Sequence, residues 1–168
     1  MLEFLEWLEM TPYAAWVRES VYGWAIVLTI HAFGNAIVVG VIFIVALRLL
    51  GMFRNIPFTS LNKLLIPLIW VGVVIQVFSG FSLFLTKPPN YATDTMFLTK
   101  MGFLVLGVVV TLYLQKALKR EALTWATSGT SSSGLQLASA AAVAWAGVLI
   151  LGRVTAYVGQ LYDVGGGG

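Results

Sequence analysis

The chain has 168 residues, 59% of them hydrophobic and 10% charged, against about 25% charged in ordinary soluble domains. The mean hydropathy of +0.90 marks a membrane protein. The net charge of +3 is scattered between apolar windows and forms no solvated patch for nucleic acid. Without cysteine the chain has no disulfide, thiolate metal site, iron–sulfur cluster or cysteine nucleophile, which leaves haem and quinone chemistry open.

The chain begins MLEFLEWLEM, where Glu3, Glu6 and Glu9 stand opposite Leu2, Leu5, Trp7 and Leu8 at helical spacing. That pattern predicts an amphipathic helix lying along the membrane interface. A cleavable signal would need a basic start and an uninterrupted apolar run, so this segment is expected to stay in the mature chain. Thr11 followed by Pro12 is an N-cap and first-turn pair, and predicts a second helix leading toward the first span.

Four apolar windows follow, Val21 to Leu50, Leu64 to Leu85, Met96 to Leu118 and Leu135 to Leu161. Each reaches the roughly 20 residues a helix needs to cross the hydrocarbon core. The runs are continuous and do not alternate, so helices and not barrel strands satisfy the backbone. The expected fold is all-α, a four-transmembrane-helix bundle with an N-terminal amphipathic interfacial helix. Residues 1–18 form the amphipathic lead-in, 19–163 a single membrane domain and 164–168 a glycine tail whose GGGG has no side chains to specify structure.

Arg48, Arg54 and Lys63 flank the first connection, and Lys116, Lys119 and Arg120 precede the third, whereas KPPNYATDT between the second and third windows has one lysine and one aspartate. The positive-inside rule then puts both termini outside, in the periplasm if the membrane is a bacterial inner membrane. TWATSGTSSSG, residues 124–134, reads as a flexible connection on the inner side.

Against this background the polar residues inside the windows stand out. At roughly 1.5 Å per residue, His31 lies about 14 Å inward from Tyr22, Arg153 about 15 Å inward from Asp163 and Gln76 about 16 Å inward from Lys87. Lys100 opens the third span, so every span contributes one polar residue to the outer half. An ionisable group at depth costs at least about 2.5 kcal/mol on insertion scales and is a functional candidate by default. Asn35 shares a face with His31, and Tyr157 and Gln160 extend a stripe from Arg153 toward the surface. His31 is the candidate metal ligand, as the axial imidazole of a haem b whose propionates Lys100 and Arg153 would hold. A quinone-like ligand bound by His31, Asn35, Gln76, Lys100, Arg153 and Tyr157 is the second reading. A structural tie between helices is the third, and Lys100 is then a lysine snorkelling to the headgroups.

A single histidine without intramembrane acid cannot close a zinc or copper cage. No acid–histidine pair supports a nucleophile, and no glycine-rich phosphate loop is present. The other halves of the spans are almost wholly apolar apart from Thr111, which speaks against a transport route. Ala138, Ala142, Ala146, Gly147 and Gly152 give the fourth span a small-residue surface for close helix contact, within one subunit or between subunits.

The run HAFGNAIVVGVIFIVALRLLG, then LIPLIWVGVVIQVFSGFSLFL, then NYATDTMFLTKMGFLVLG resembles a bacterial family of small four-span membrane proteins of unknown function. The likeness covers about residues 20–118 and is carried by His31, Arg48, Gly51, Trp70, Gly72, Gly80, Tyr91, Phe97 and Lys100. That family's acids before the histidine and before the Leu-Arg pair are replaced here by apolar or hydroxyl residues around Thr29 and Ala46. In layout the chain is more distantly similar to HemJ-type protoporphyrinogen oxidases and CopD-type copper proteins, and the former likeness implies haem. The expected partners are the lipid bilayer and either further copies of the chain or the other subunits of a membrane complex.

Overall fold

The computed structural model describes the backbone of residues 2–165 and the side chains of residues 2–155. Short helices α1 (Leu2–Glu9) and α2 (Pro12–Glu19) precede α3 (Val21–Leu49) and α4 (Phe58–Phe84). A short helix α5 (Pro88–Thr93) then leads to α6 (Thr95–Ser128) and α7 (Ser132–Gly165). No strand occurs among the described residues. Four helices, α3, α4, α6 and α7, are long and apolar enough to cross a membrane.

The starts of these helices follow local chemistry. Thr11 accepts from the Ala14 amide at 3.3 Å with Pro12 in the first turn, Ser20 accepts from Gly23 at 3.1 Å, and Asp94 accepts from Met96 at 2.8 Å. Each satisfies a donor that a helix N-terminus leaves open. α4 starts before its apolar window and contains one π turn at Leu61–Leu65. α6 runs ten residues past its window, because Lys119 to Trp125 continue the helical spacing of buried Leu118, Ala122 and Trp125.

The expected flexible connection at 124–134 is a correction. Only residues 129–131 leave the helices. Glu121 accepts from Trp125 Nε1 and from Ser131 Oγ, both at 3.1 Å, and Ser131 in turn caps the Gly134 amide at 3.2 Å. Gly129, at φ +82°, makes the turn that L residues rarely adopt.

Packing is uneven along the bundle. At the end carrying the basic connections, Val38 to Leu49 of α3 pack with Phe58, Leu61, Ile66 and Ile69 of α4, Leu114 to Trp125 of α6 and Ala138 to Val148 of α7. Trp145 is fully buried there, donating from Nε1 to Thr111 Oγ1 at 3.0 Å, while Thr111 donates to the Gly107 carbonyl at 2.7 Å. Thr111, the polar residue of this half noted above, is thus a packing partner. Arg48 is buried as well, its Nε donating to the Ile56 carbonyl at 2.6 Å and its guanidinium lying 4.0 Å from the centre of the Phe58 ring. The expected small-residue face of α7 holds in part: Ala138 is buried, and Gly147 and Gly152 lie against Phe103 and Lys100 of α6, but Ala141 and Ala144 are buried where Ala142 and Ala146 are only half-buried.

Toward the other end the bundle opens. The buried stripe of α6 begins at Gly107, and that of α7 stops at Val148 among the described residues. α3 and α4 stay together there because both are glycine at the crossing. A Cβ on Gly72 would meet Val38 Cγ2 at 2.6 Å and the Gly34 carbonyl oxygen at 3.2 Å, and one on Gly34 would meet Ile75 Cγ2 at 2.8 Å. α1 and α2 close this end from outside, α1 against α5 and α2 against α3. Leu5 and Leu8 of α1 are half-buried, whereas Leu2, Phe4 and Trp7 face outward. Such an outward apolar face fits an interfacial helix.

Gly72→Ala should lower the stability of the detergent-purified protein by about 1–3 kcal/mol, the usual cost of overpacking. Thermal unfolding followed by circular dichroism would measure it. Gly40→Ala, whose added Cβ meets nothing within 4 Å, is the matched control and should leave the transition in place.

Candidate ligand site

The polar side chains of the open half are set out by three helices. On α3, His31 is half-buried and its Nδ1 lies 2.9 Å from Ser79 Oγ of α4. The Ser79 hydroxyl donates its single proton to the Ile75 carbonyl at 2.6 Å. Ser79 can then only accept from the ring, so Nδ1 carries the imidazole proton and Nε2 keeps its lone pair. Gly80 makes room for the ring: a Cβ there would meet Cε1 at 3.3 Å and Nδ1 at 3.7 Å. No described residue hydrogen-bonds Nε2.

Gln76 is buried and donates from Nε2 to the His31 carbonyl at 3.0 Å. It clamps the backbone that carries the histidine. Asn35, one turn along α3, has its Oδ1 buried without a hydrogen-bond partner. Such an orphan acceptor is rare and calls for a cause, a strained site or a missing ligand among them.

Lys100 of α6 is half-buried, within electrostatic reach of His31, and its Nζ lies against Gly152 of α7, where an added Cβ would stand 3.5 Å from it. It makes no hydrogen bond or ion pair with any described residue. Beyond it Phe84, Tyr91 and Phe97 form an aromatic cluster with ring centroids 5.3 to 6.3 Å apart. Phe84 is one turn past Gly80 and Phe97 one turn before Lys100, so the cluster follows these residues toward the end of the bundle. Burial pushes the Tyr91 phenol above its usual value, with a hydrogen bond to Thr86 opposing, so it stays a neutral donor.

The candidate residues named from the sequence therefore divide. His31, Gln76, Asn35 and Lys100 fall in one region. Arg153 does not turn inward; its side chain is exposed on α7 beside Gly152. A residue one position from Gly152 points about a quarter-turn away, which takes the guanidinium out of the space that Lys100 enters. The Tyr157 side chain lies outside the described residues.

Sequence reasoning passed over Ser79, the partner that fixes the histidine tautomer. Its signal was present: polar residues at 76, 79, 82 and 86 recur at helical spacing in an otherwise apolar run. A shallow groove of about 500 Å³ between α4 and α6, lined by Pro67, Trp70, Val71, Val74, Ile75 and Gln115, lies elsewhere and is apolar.

Since His31 is the only histidine, ¹⁵N-histidine labelling reports on it alone. The Nδ1-protonated tautomer should dominate in the wild type, and Ser79→Ala should shift the population toward the Nε2-protonated form. Comparison of the chain with family models, with curated proteins and with solved structures finds no match, so its chemistry rests on these side chains.

Proposed function

We propose that this chain is an integral membrane protein that binds a redox cofactor of the haem b or quinone type in the open half of its bundle. The observation that carries this is the His31 ring, held by Ser79 with the Nε2 lone pair left for a ligand. A bare metal ion is a poor fit, because no group of three or more His, Cys, Asp or Glu side chains is gathered among the described residues. One imidazole suits a metal that brings its own ligands, as a porphyrin iron does. A haem would supply one-electron chemistry there. The protein's share is to fix the ring through Ser79 and Gln76, to offer Lys100 to an acidic group and to limit water with Phe84, Tyr91 and Phe97.

The same lone pair also accepts a hydroxyl proton, so a quinol is the second reading, with Lys100 as donor to its oxidised carbonyl. Lys100, near the start of α6, is half-buried and makes no hydrogen bond or ion pair with a described residue, which favours a ligand over a mere tie. An ammonium within electrostatic reach of His31, and an orphan amide oxygen one turn from His31 on α3, are groups that an anionic or carbonyl ligand would satisfy. Positions that carry the family resemblance, His31, Gly80, Tyr91, Phe97 and Lys100, gather in this region.

The charge asymmetry supports an orientation. Arg48, Arg54, Lys63, Lys116, Lys119 and Arg120 belong to one end, and Glu3, Glu6, Glu9 and Asp94 to the other. In our reading the site opens toward the outer, periplasmic side of a bacterial inner membrane, with both termini there. A non-catalytic subunit that meets lipid or a partner helix through exposed Arg153 is the rival from another class, and a homo-oligomer or a larger membrane complex fits either reading.

Visible absorption of the detergent-purified protein, oxidised and dithionite-reduced, separates these. A Soret band present in the wild type and lost in His31→Ala supports haem. Its absence after expression with haem supplied removes haem, and quinone in an organic extract of the wild type but not of His31→Ala then supports the second reading.

A further inference from the structure

Gln76, Ser79 and Ser82 of α4, with Thr86 just beyond it, are all buried and recur every three or four residues. That spacing puts them on one line along the helix, leading from the depth of His31 to the end covered by α1 and α2. The inner end of the line is the His31 Nδ1 contact with Ser79 Oγ at 2.9 Å. At its outer end the Tyr13 hydroxyl lies 2.8 Å from Ser82 Oγ, and the Tyr13 side chain is itself exposed. Ser82 donates its proton to the Phe78 carbonyl at 2.9 Å, so Tyr13 donates to Ser82 just as His31 donates to Ser79.

The two serines are three residues apart, which on a helix face is about 5–6 Å and within the span of one bridging water. Arg18 stands at the mouth, its NH1 at 3.4 Å from both the Thr86 carbonyl and Glu9 Oε1. From α6, Lys100 is the charged group that acts on His31. No acidic side chain lies on the line itself.

We propose that this line is a proton-exchange route between His31 and the water at the α1–α2 end, running through Tyr13, Ser82, one bridging water and Ser79, in which each serine turns its O–H from its own-helix carbonyl toward the bridging water and passes that proton on as it takes one from its other neighbour. Tyr13 is its entrance and Ser82 its midpoint. Both are positioning residues for proton access, touching neither cofactor nor substrate. The route does not depend on which ligand meets Nε2. It explains why three buried hydroxyls lie on one face where alanine would pack more cheaply, and why α2 is held to α4 by a tyrosine hydroxyl.

The test follows transfer of magnetisation from water to the Nδ1 proton of ¹⁵N-histidine-labelled protein in lipid nanodiscs. Exchange should be measurable in the wild type and at least about tenfold slower in Tyr13→Phe and Ser82→Ala, because each breaks a hydrogen-bonded link to water. Ser82→Thr, which keeps a hydroxyl, should restore it. Tyr22→Phe, an exposed tyrosine at the same end but off the line, should leave it unchanged. Helix content and the histidine ¹⁵N shifts of each variant report folding and tautomer separately. Wild-type exchange undetectable, or equal rates in the wild type, Tyr13→Phe and Ser82→Ala, would overturn the route and leave these hydroxyls as helix ties.

Discussion

Between helices in hydrocarbon there is no hydrophobic force, since lipid tails are as apolar as leucine, so association depends on how closely the backbones approach. In this protein that approach is made at a few glycines. Gly34 and Gly72 bring α3 onto α4, and Gly107 lets the Trp145 ring of α7 lie on α6, where a Cβ would meet the indole at 3.1 Å. Dispersion contacts and the Trp145–Thr111–Gly107 chain of hydrogen bonds then hold one half of the bundle firmly. The loop after α3 is tied to the same half by Arg48, whose long side chain spends its charge on the Ile56 carbonyl and the Phe58 face.

The other half is built on a different principle. Its helices carry several polar groups near His31, and only some of them find partners among the described residues. Gln76 and Ser79 are consumed in setting the His31 backbone and ring, while the Asn35 oxygen, the Lys100 ammonium and the His31 Nε2 are left over among the described residues. An acceptor, a cation and a lone pair are the groups that the proposed ligand would meet. In that proposal the firmly packed half carries the fold of the 168-residue chain and the other half carries the site.

How much of this was legible in the sequence varied with the physical cause. The four long apolar helices and the Thr11–Pro12 helix start followed from hydropathy and capping chemistry, both local properties. Arg153 did not follow, because depth fixes a level along the helix and leaves its azimuth open; one residue of rotation separates Gly152, facing Lys100, from Arg153, facing out. The connection at 124–134 was misread because its Ser, Thr and Gly content resembles a linker. What orders it is Glu121, whose carboxylate gathers Trp125 and Ser131, a tertiary contact that composition cannot show. Arg48 was counted as a loop charge for the same reason: its burial depends on where Phe58 and Ile56 return.

The claim that the two halves do different work is tested most directly by comparing the unfolding of two variants in the same detergent. His31→Leu should lose no more than about 1 kcal/mol, the scale of a membrane interhelical hydrogen bond. Trp145→Ala should lose about 3–5 kcal/mol, the cost of emptying a closed core. Equal and large losses in both would mean that His31 is part of what holds the bundle together, and would contradict the account of the open half as a ligand site.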